Sequence, residues 1–195
     1  MTDKLARIIS FIFNPLILLV LMPFFLIYRV PSDLSIALFW TGYSSLFLLV
    51  MLAILYYGVK KKKFNNFDVS NRKQRPLLFT ISMLLLVLYV GGIFFFHGPT
   101  ILVIVSIGML GGLVVVGLIN TRIKASMHMA TLVGLITPII LSQRRISVVL
   151  LGLIPVVGWA RVRIKRHTVP ELIVGGIFGS LLSLLLYIFS QHIYD

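Results

Sequence analysis

Two histidines, a serine, a carboxylate and a ring of cations gather in three short fragments of a chain that elsewhere holds few such groups. The fragments are Asp68-Val-Ser-Asn-Arg-Lys-Gln-Arg-Pro76, Lys124-Ala-Ser-Met-His128 and Arg161-Val-Arg-Ile-Lys-Arg-His-Thr-Val-Pro-Glu171. An imidazole nucleophile, a second imidazole as acid, and guanidinium or ammonium groups around an oxyanion are the equipment for phosphoryl transfer without a metal. The candidate groups are His167, His128 and Glu171 for the chemistry, and Arg75, Lys73, Ser126 and Arg161 for holding phosphate oxygens.

Each fragment also has a plainer reading. Arg161 and His167 stand six apart with Arg163, Lys165 and Arg166 between them. A juxtamembrane basic cluster that only orients a helix has the same composition. Thr168-Val-Pro-Glu171 reads as a capping box, with Thr168 as N-cap and Glu171 at N3. Capping leaves room for a second role, because a carboxylate four residues from His167 can fix the tautomer of its imidazole. Ser126 is placed to cap an apolar helix whose first N–H groups favour an anion, and His128 in the first turn can protonate a leaving alkoxide. A serine cap beside a lone interfacial histidine is the alternative. Arg75-Pro76, with Lys73 two residues before, precedes an apolar run, as arginines beside spanning helices commonly do. His97 and His192 fall outside the fragments and read as bystanders. Five acidic residues are too few for a Mg²⁺ cage, so neither a metal nor another cofactor is expected. The same scarcity argues against a prenyltransferase, which needs several aspartates around a diphosphate.

The elements that must position these groups are apolar helices. Of 195 residues, 59% are hydrophobic and only 12% charged, and the mean hydropathy is +1.06. A soluble domain of this length needs far more polar surface, so the composition implies an integral membrane protein. The first apolar run is as long as the later ones and lacks a small-residue cleavage site, and so reads as a spanning helix. Cysteine is absent, which excludes disulfides and thiolate chemistry. The net charge of +13 suits loops that meet anionic headgroups; with no stacking platform or basic domain, a nucleic-acid partner is not expected.

A hydrocarbon core of about 30 Å asks for about 20 apolar residues per helix. Seven runs qualify or nearly so: about 8–28 (with Asn14, Pro15 and Pro23 inside), 34–59, 76–96, 100–119, 126–141, 146–160 and 169–189. Asp33 can cap the second run and Pro76 can open the third. The fifth and sixth are short, either a tilted pair or one re-entrant hairpin. The expected fold is a single all-α polytopic bundle of six to seven helices over residues 1–195.

Following the crossings puts all three fragments on one face of the membrane. That face carries 15 of the 18 Lys and Arg, while Arg29, Arg144 and Arg145 lie opposite. Without Lys73, Arg75, Lys124 and Arg161 the ratio is still 11 to 3. Positive loops stay inside, so the fragments are expected to face the cytoplasm across a cell (inner) membrane.

Together the fragments resemble the type 2 phosphatidic acid phosphatase family, membrane lipid phosphatases related to vanadium haloperoxidases, and most of all a small bacterial branch of it. The family's last motif is Ser-Arg, five residues, His, three residues, Asp; the chain has Ala160-Arg161, five residues, His167, three residues, Glu171. Its middle motif, Pro-Ser-Gly-His, looks like Ala125-Ser126-Met127-His128, and the end of its first motif like Arg75-Pro76. The resemblance covers about 68–179 and the motifs keep their order. It implies that His167 attacks phosphorus, Glu171 orients it and His128 protonates the leaving oxygen. Arg75, Arg161 and Ser126 would hold the phosphate, with Lys73, or else Arg72, in place of the family's lysine, which falls at Asp68. Met127 replaces a glycine, and Glu171 is one methylene longer than aspartate. Relatives of this kind commonly act on the outer face, against the charge count. The implied substrate is a lipid phosphomonoester or diphosphate: phosphatidate, phosphatidylglycerol phosphate or polyprenyl diphosphate. A lipid phosphotransferase, or a catalytically silent lipid-binding or transport relative, has the same fragments.

Overall fold

The computed structural model describes residues 2–29, 33–142 and 149–194, and in them every regular element is helical. The α-helices are α1 (Thr2–Ile12), α2 (Pro15–Arg29), α3 (Leu34–Lys60), α4 (Arg75–Phe95), α5 (Thr100–Arg122), α6 (Met127–Ser142), α7 (Leu153–Arg163) and α8 (Val169–Tyr194). Five stretches are long and apolar enough to cross a membrane: Thr2–Ile27, Leu34–Lys60, Arg72–Phe95, Thr100–Arg122 and Val169–Gln191. The protein is an all-α membrane protein.

Sequence dictates most helix ends. The Asp33 carboxylate accepts from the N–H groups of Ser35 and Ile36 and so caps α3 as expected. Pro76 stands in the first turn of α4, where a missing N–H costs nothing. The first run departs from expectation, because it is two helices and not one. Pro15 has no N–H for the Phe11 carbonyl and its ring obstructs the preceding turn. The Asn14 N–H turns instead to Phe11 O, while the Asn14 side chain caps α2 through Leu16 N. The fourth run is longer than expected and stays helical to Arg122. The sixth run is broken at Gly152, and only α7, of 11 residues, follows; its start, and Arg144 and Arg145, lie outside the described residues, as does the 30–32 turn.

The contacts divide the chain into two compact units. One comprises 1–19 and 123–195, the other 20–122.

In the first unit, α6 lies along α8, α1 lies along α7, and α6 touches α7. Met129, Leu132, Ile136, Val157 and Leu172 form its core, joined by Ile9, Phe13 and Leu18. In a membrane the driving force for this packing is close contact rather than exclusion of water, so small residues decide where helices meet. On α8 these are Gly175 and Gly179, one turn apart. On the facing side they are Ser126, Ala130 and Gly134. A Cβ at Gly175 would collide with the backbone of Ser126, and one at Gly179 with the backbone of Ala130. A Cβ at Gly134 would stand 3.4 Å from the Gly179 carbonyl oxygen.

In the second unit α4 packs on α5 and α3. Trp40, Tyr89, Ile27, Ile93 and Leu102 form its core. The Ser44 hydroxyl donates to Trp40 O and meets the Tyr89 hydroxyl at 2.8 Å, so a polar pair inside the bundle is satisfied.

Gly175→Val and Gly179→Val should each lower the stability of the detergent-solubilised protein by about 1–3 kcal/mol, by overpacking against fixed backbone. Gly176→Val, whose added Cβ meets only Val133 at 3.7 Å, should cost less. Unfolding midpoints of the three variants give the comparison.

Candidate phosphate-binding site

The third fragment folds into a turn whose length is set by backbone hydrogen bonds. At the end of α7, Lys165 N–H donates to Val162 O and Arg166 N–H to Arg161 O. This is a Schellman closure, with Lys165 in the left-handed position at φ 55°. The His167 N–H also reaches the Arg161 carbonyl, at 3.4 Å. Arg161 therefore ends one helix by its backbone while its side chain, 2% exposed, turns into the unit. His167 follows directly and is buried, and Thr168 holds the N-cap position before α8. Six residues are what this reversal consumes, which accounts for the spacing of Arg161 and His167.

The Glu171 carboxylate serves two partners through one oxygen. Oε2 accepts from the Thr168 N–H at 3.2 Å, closing half of the capping box, and from His167 Nδ1 at 2.8 Å. A carboxylate can only accept from a neutral ring, so Nδ1 carries the hydrogen and Nε2 holds the in-plane lone pair. That is the tautomer a nucleophilic histidine needs.

The second fragment is bonded to the third. Ser126 N–H donates to Glu171 O at 3.0 Å, and Lys124 Nζ donates to Arg166 O at 2.7 Å. Ser126 occupies the N-cap position of α6, since its carbonyl accepts from the Ala130 N–H. Contrary to expectation its hydroxyl does not cap. Ser126 is 0% exposed and its Oγ has no hydrogen-bond partner among the described residues. The Ser126 N–H bonds across to α8. A buried hydroxyl with no partner is costly, and it lies at a helix start whose first N–H groups favour an anion.

His128 and Arg161 come together. Arg161 Nη1 lies 3.5 Å from His128 Nε2, and donates to Ser10 Oγ at 2.6 Å. His128 Nε2 also meets the Ser10 carbonyl oxygen at 3.2 Å. A carbonyl only accepts, so this shorter contact puts a hydrogen on Nε2 and leaves the guanidinium as a neighbouring cation rather than a donor to it. His128 thus holds a proton on a nitrogen beside Arg161.

Ser10 was not legible as a site residue. It is a serine within an apolar run, an ordinary occurrence. The available signal was Pro15: breaking the helix there releases carbonyls of the last turn of α1, and Ser10 O finds its donor in His128.

Arg75 and Lys73 belong to the other unit. Arg75 is buried and donates to Val69 O at 3.3 Å and to Asn120 Oδ1 at 3.2 Å. Lys73 is exposed, and its N–H donates to the Asn71 side chain. Arg72 caps the end of α5 through the carbonyls of Thr121 and Arg122. Among the described residues no group of three His, Cys, Asp or Glu is placed to hold a metal ion.

No family model, curated protein or solved structure matches this chain.

Because the Ser126 hydroxyl bonds to nothing, Ser126→Ala should leave the unfolding midpoint unchanged or raise it, by at most about 1–3 kcal/mol of relieved desolvation. Ser44→Ala, which breaks the bond to Tyr89, should lower it. The two midpoints, measured side by side in one detergent, check the assignment.

Proposed function

We propose that this protein is a metal-independent lipid phosphate phosphatase of the type 2 phosphatidic acid phosphatase kind. The observation that carries the reading is the Ser126–Glu171 backbone bond. It joins a helix start bearing a serine hydroxyl to the backbone of the residue whose carboxylate holds a histidine in its nucleophilic tautomer.

The reaction follows from these groups. His167 Nε2 attacks phosphorus, and the bond to the lipid oxygen breaks. His128 gives its Nε2 proton to that oxygen, which leaves as an alcohol or, from a diphosphate, as a monophosphate. Water, deprotonated by His128, then attacks the phospho-histidine, releasing inorganic phosphate and restoring both rings. Arg161, Ser126 and the N–H groups at the start of α6 stabilise the equatorial oxygens as charge spreads over them.

The substrate is a lipid monophosphate or diphosphate, such as phosphatidate, phosphatidylglycerol phosphate or a polyprenyl diphosphate. A groove of about 730 Å³ supports an apolar tail; it runs between α6, α7 and α8 and includes Met129, Trp159, Val162, Val169, Leu172 and Ile173. It begins one residue from His128 and two from His167, so a headgroup at the histidines would have its tail beside it. The excess of Lys and Arg on the loops that carry these groups supports a cytoplasmic site in a cell membrane.

Purified protein should release phosphate from one of these lipids without added metal, and His167→Ala or His128→Ala should reduce the rate at least 100-fold. Acid-labile, base-stable phosphate should be trapped on His167 with radiolabelled substrate. Saturable lipid binding with no turnover would instead identify a lipid-binding protein with this fold, and transfer to an added alcohol a phosphotransferase.

The native chain has no cysteine, so single cysteines report sidedness without background. In intact cells a cysteine at Ser142 should react with an impermeant maleimide and one at Asn65 should not; the reverse pattern would place the site outside.

A further inference from the structure

Ser10 uses both of its oxygens on the two groups that the proposed reaction most needs. Its hydroxyl accepts from Arg161 Nη1 at 2.6 Å and its carbonyl meets His128 Nε2 at 3.2 Å. All three residues are buried. The Ser10 carbonyl is available because α1 ends early: the Asn14 N–H, which would otherwise take it, bonds to Phe11 O, and Pro15 has no N–H. The last turn of a helix also carries partial negative charge, and here that turn abuts a guanidinium. To Arg161 and His128, the end of α1 presents two acceptor oxygens on a negative pole. An oxyanion offers the same.

We infer that Ser10 is an affinity-determining residue of the phosphoryl site, occupying donors that a phosphate takes in turn, so that the anion competes with it for Arg161 Nη1 and His128 Nε2. This rests on the phosphatase reading above. The Ser10 carbonyl marks where the leaving oxygen must come to receive the His128 proton. The hydroxyl marks a non-bridging oxygen on Arg161. Displacement is feasible because a further polar tie of α1 within this unit is at the surface: Arg163 donates to Asp3 at 2.7 Å and to the Thr2 hydroxyl, with both charged side chains more than half exposed. Exposed ion pairs of this kind hold weakly. The outward residues Leu5, Ile8, Phe11 and Ile12 are exposed and apolar, with Lys4 and Arg7 among them. That face suits a bilayer surface, so α1 can shift within lipid without uncovering apolar area to water.

The test reads binding of inorganic phosphate by thermal unfolding of the full chain in detergent, at fixed ionic strength maintained with chloride. Ser10→Ala should reach half of its phosphate-induced stabilisation at roughly fivefold lower phosphate than the native protein, the scale of one lost competing hydrogen bond. Asp3→Lys, at the surface and far along α1 from Ser10, should shift in the same direction by breaking the Arg163–Asp3 tie. It decides the matter alone if Ser10→Ala does not fold. Ser10→Thr, which retains the hydroxyl, should bind as the native protein does. Equal or weaker phosphate binding in Ser10→Ala and Asp3→Lys overturns the inference, as does the absence of a phosphate response in every variant. Lipid phosphate turnover that His167→Ala abolishes, with no gain in phosphate affinity on removing Ser10, would leave the phosphatase standing and sink this inference. A gain in affinity without turnover of any lipid would do the opposite.

Discussion

The contact between the start of α6 and the first turns of α8 is the constraint on which the candidate site depends. Backbone touches backbone there because Gly175 and Gly179 carry no side chain. Only at that separation can the Ser126 N–H reach the Glu171 carbonyl. That one bond sets the register: Ser126 and His128 on α6 lie at the same end of the unit as His167 and Glu171 before and on α8. The hydroxyl of the same serine has no hydrogen-bond partner among the described residues. An N-cap residue normally spends its hydroxyl on its own helix, whereas Ser126 has its backbone claimed by a neighbour and its hydroxyl left over. In a low-dielectric interior such a leftover is expensive. A fold that tolerates it has either a compensating ligand or a compensating contact elsewhere, and the dense small-residue packing of α6 on α8 supplies the stability that permits the expense.

What was legible in the sequence were features governed by neighbours along the chain. Asp33 caps α3, Pro76 sits in the first turn of α4, and Glu171 reaches back to Thr168 N, because each is a local rule about orphan N–H groups at a helix start. The all-α membrane character follows from hydropathy alone, since nothing but internally bonded helices or closed barrels can sit in hydrocarbon. Two things were not legible. A continuous apolar run does not disclose that it is two helices, and 8–28 is divided at Asn14-Pro15. Partners distant in sequence are not disclosed either: Ser10 meets His128 and Arg161 across more than a hundred residues, through a packing of α1 on α7 that no periodicity encodes.

The cations divide by what they touch. Arg72 spends its guanidinium on the carbonyls that end α5, and Arg75 bridges Val69 O to Asn120. Lys124 ties the start of α6 to the carbonyl of Arg166. Arg72 meets the negative pole at a helix end, whereas Arg75 and Lys124 tie loops to helices. They show why a basic face cannot be read as topology alone. Arg161 differs, since its side chain is buried among α1, α6 and α7 and lies beside an imidazole. A guanidinium held there is costly unless the site offers acceptors, and Ser10 is one of them.

The identity of residue 171 follows from the same reasoning. Glutamate stands where the motif that the chain resembles has aspartate, and a single oxygen of it, Oε2, meets both Thr168 N and His167 Nδ1. A capping-box acid at N3 must fold back over the first turn to reach the N-cap N–H, and the extra methylene of glutamate provides that reach. With aspartate the carboxylate would sit nearer its own backbone, and the cap and the imidazole would compete for it. The longer side chain lets one carboxylate close the helix start and orient the ring together. Anything that shifts the start of α8 therefore moves His167 as well, and the stability of that first turn and the tautomer of the histidine are a single property of this fold.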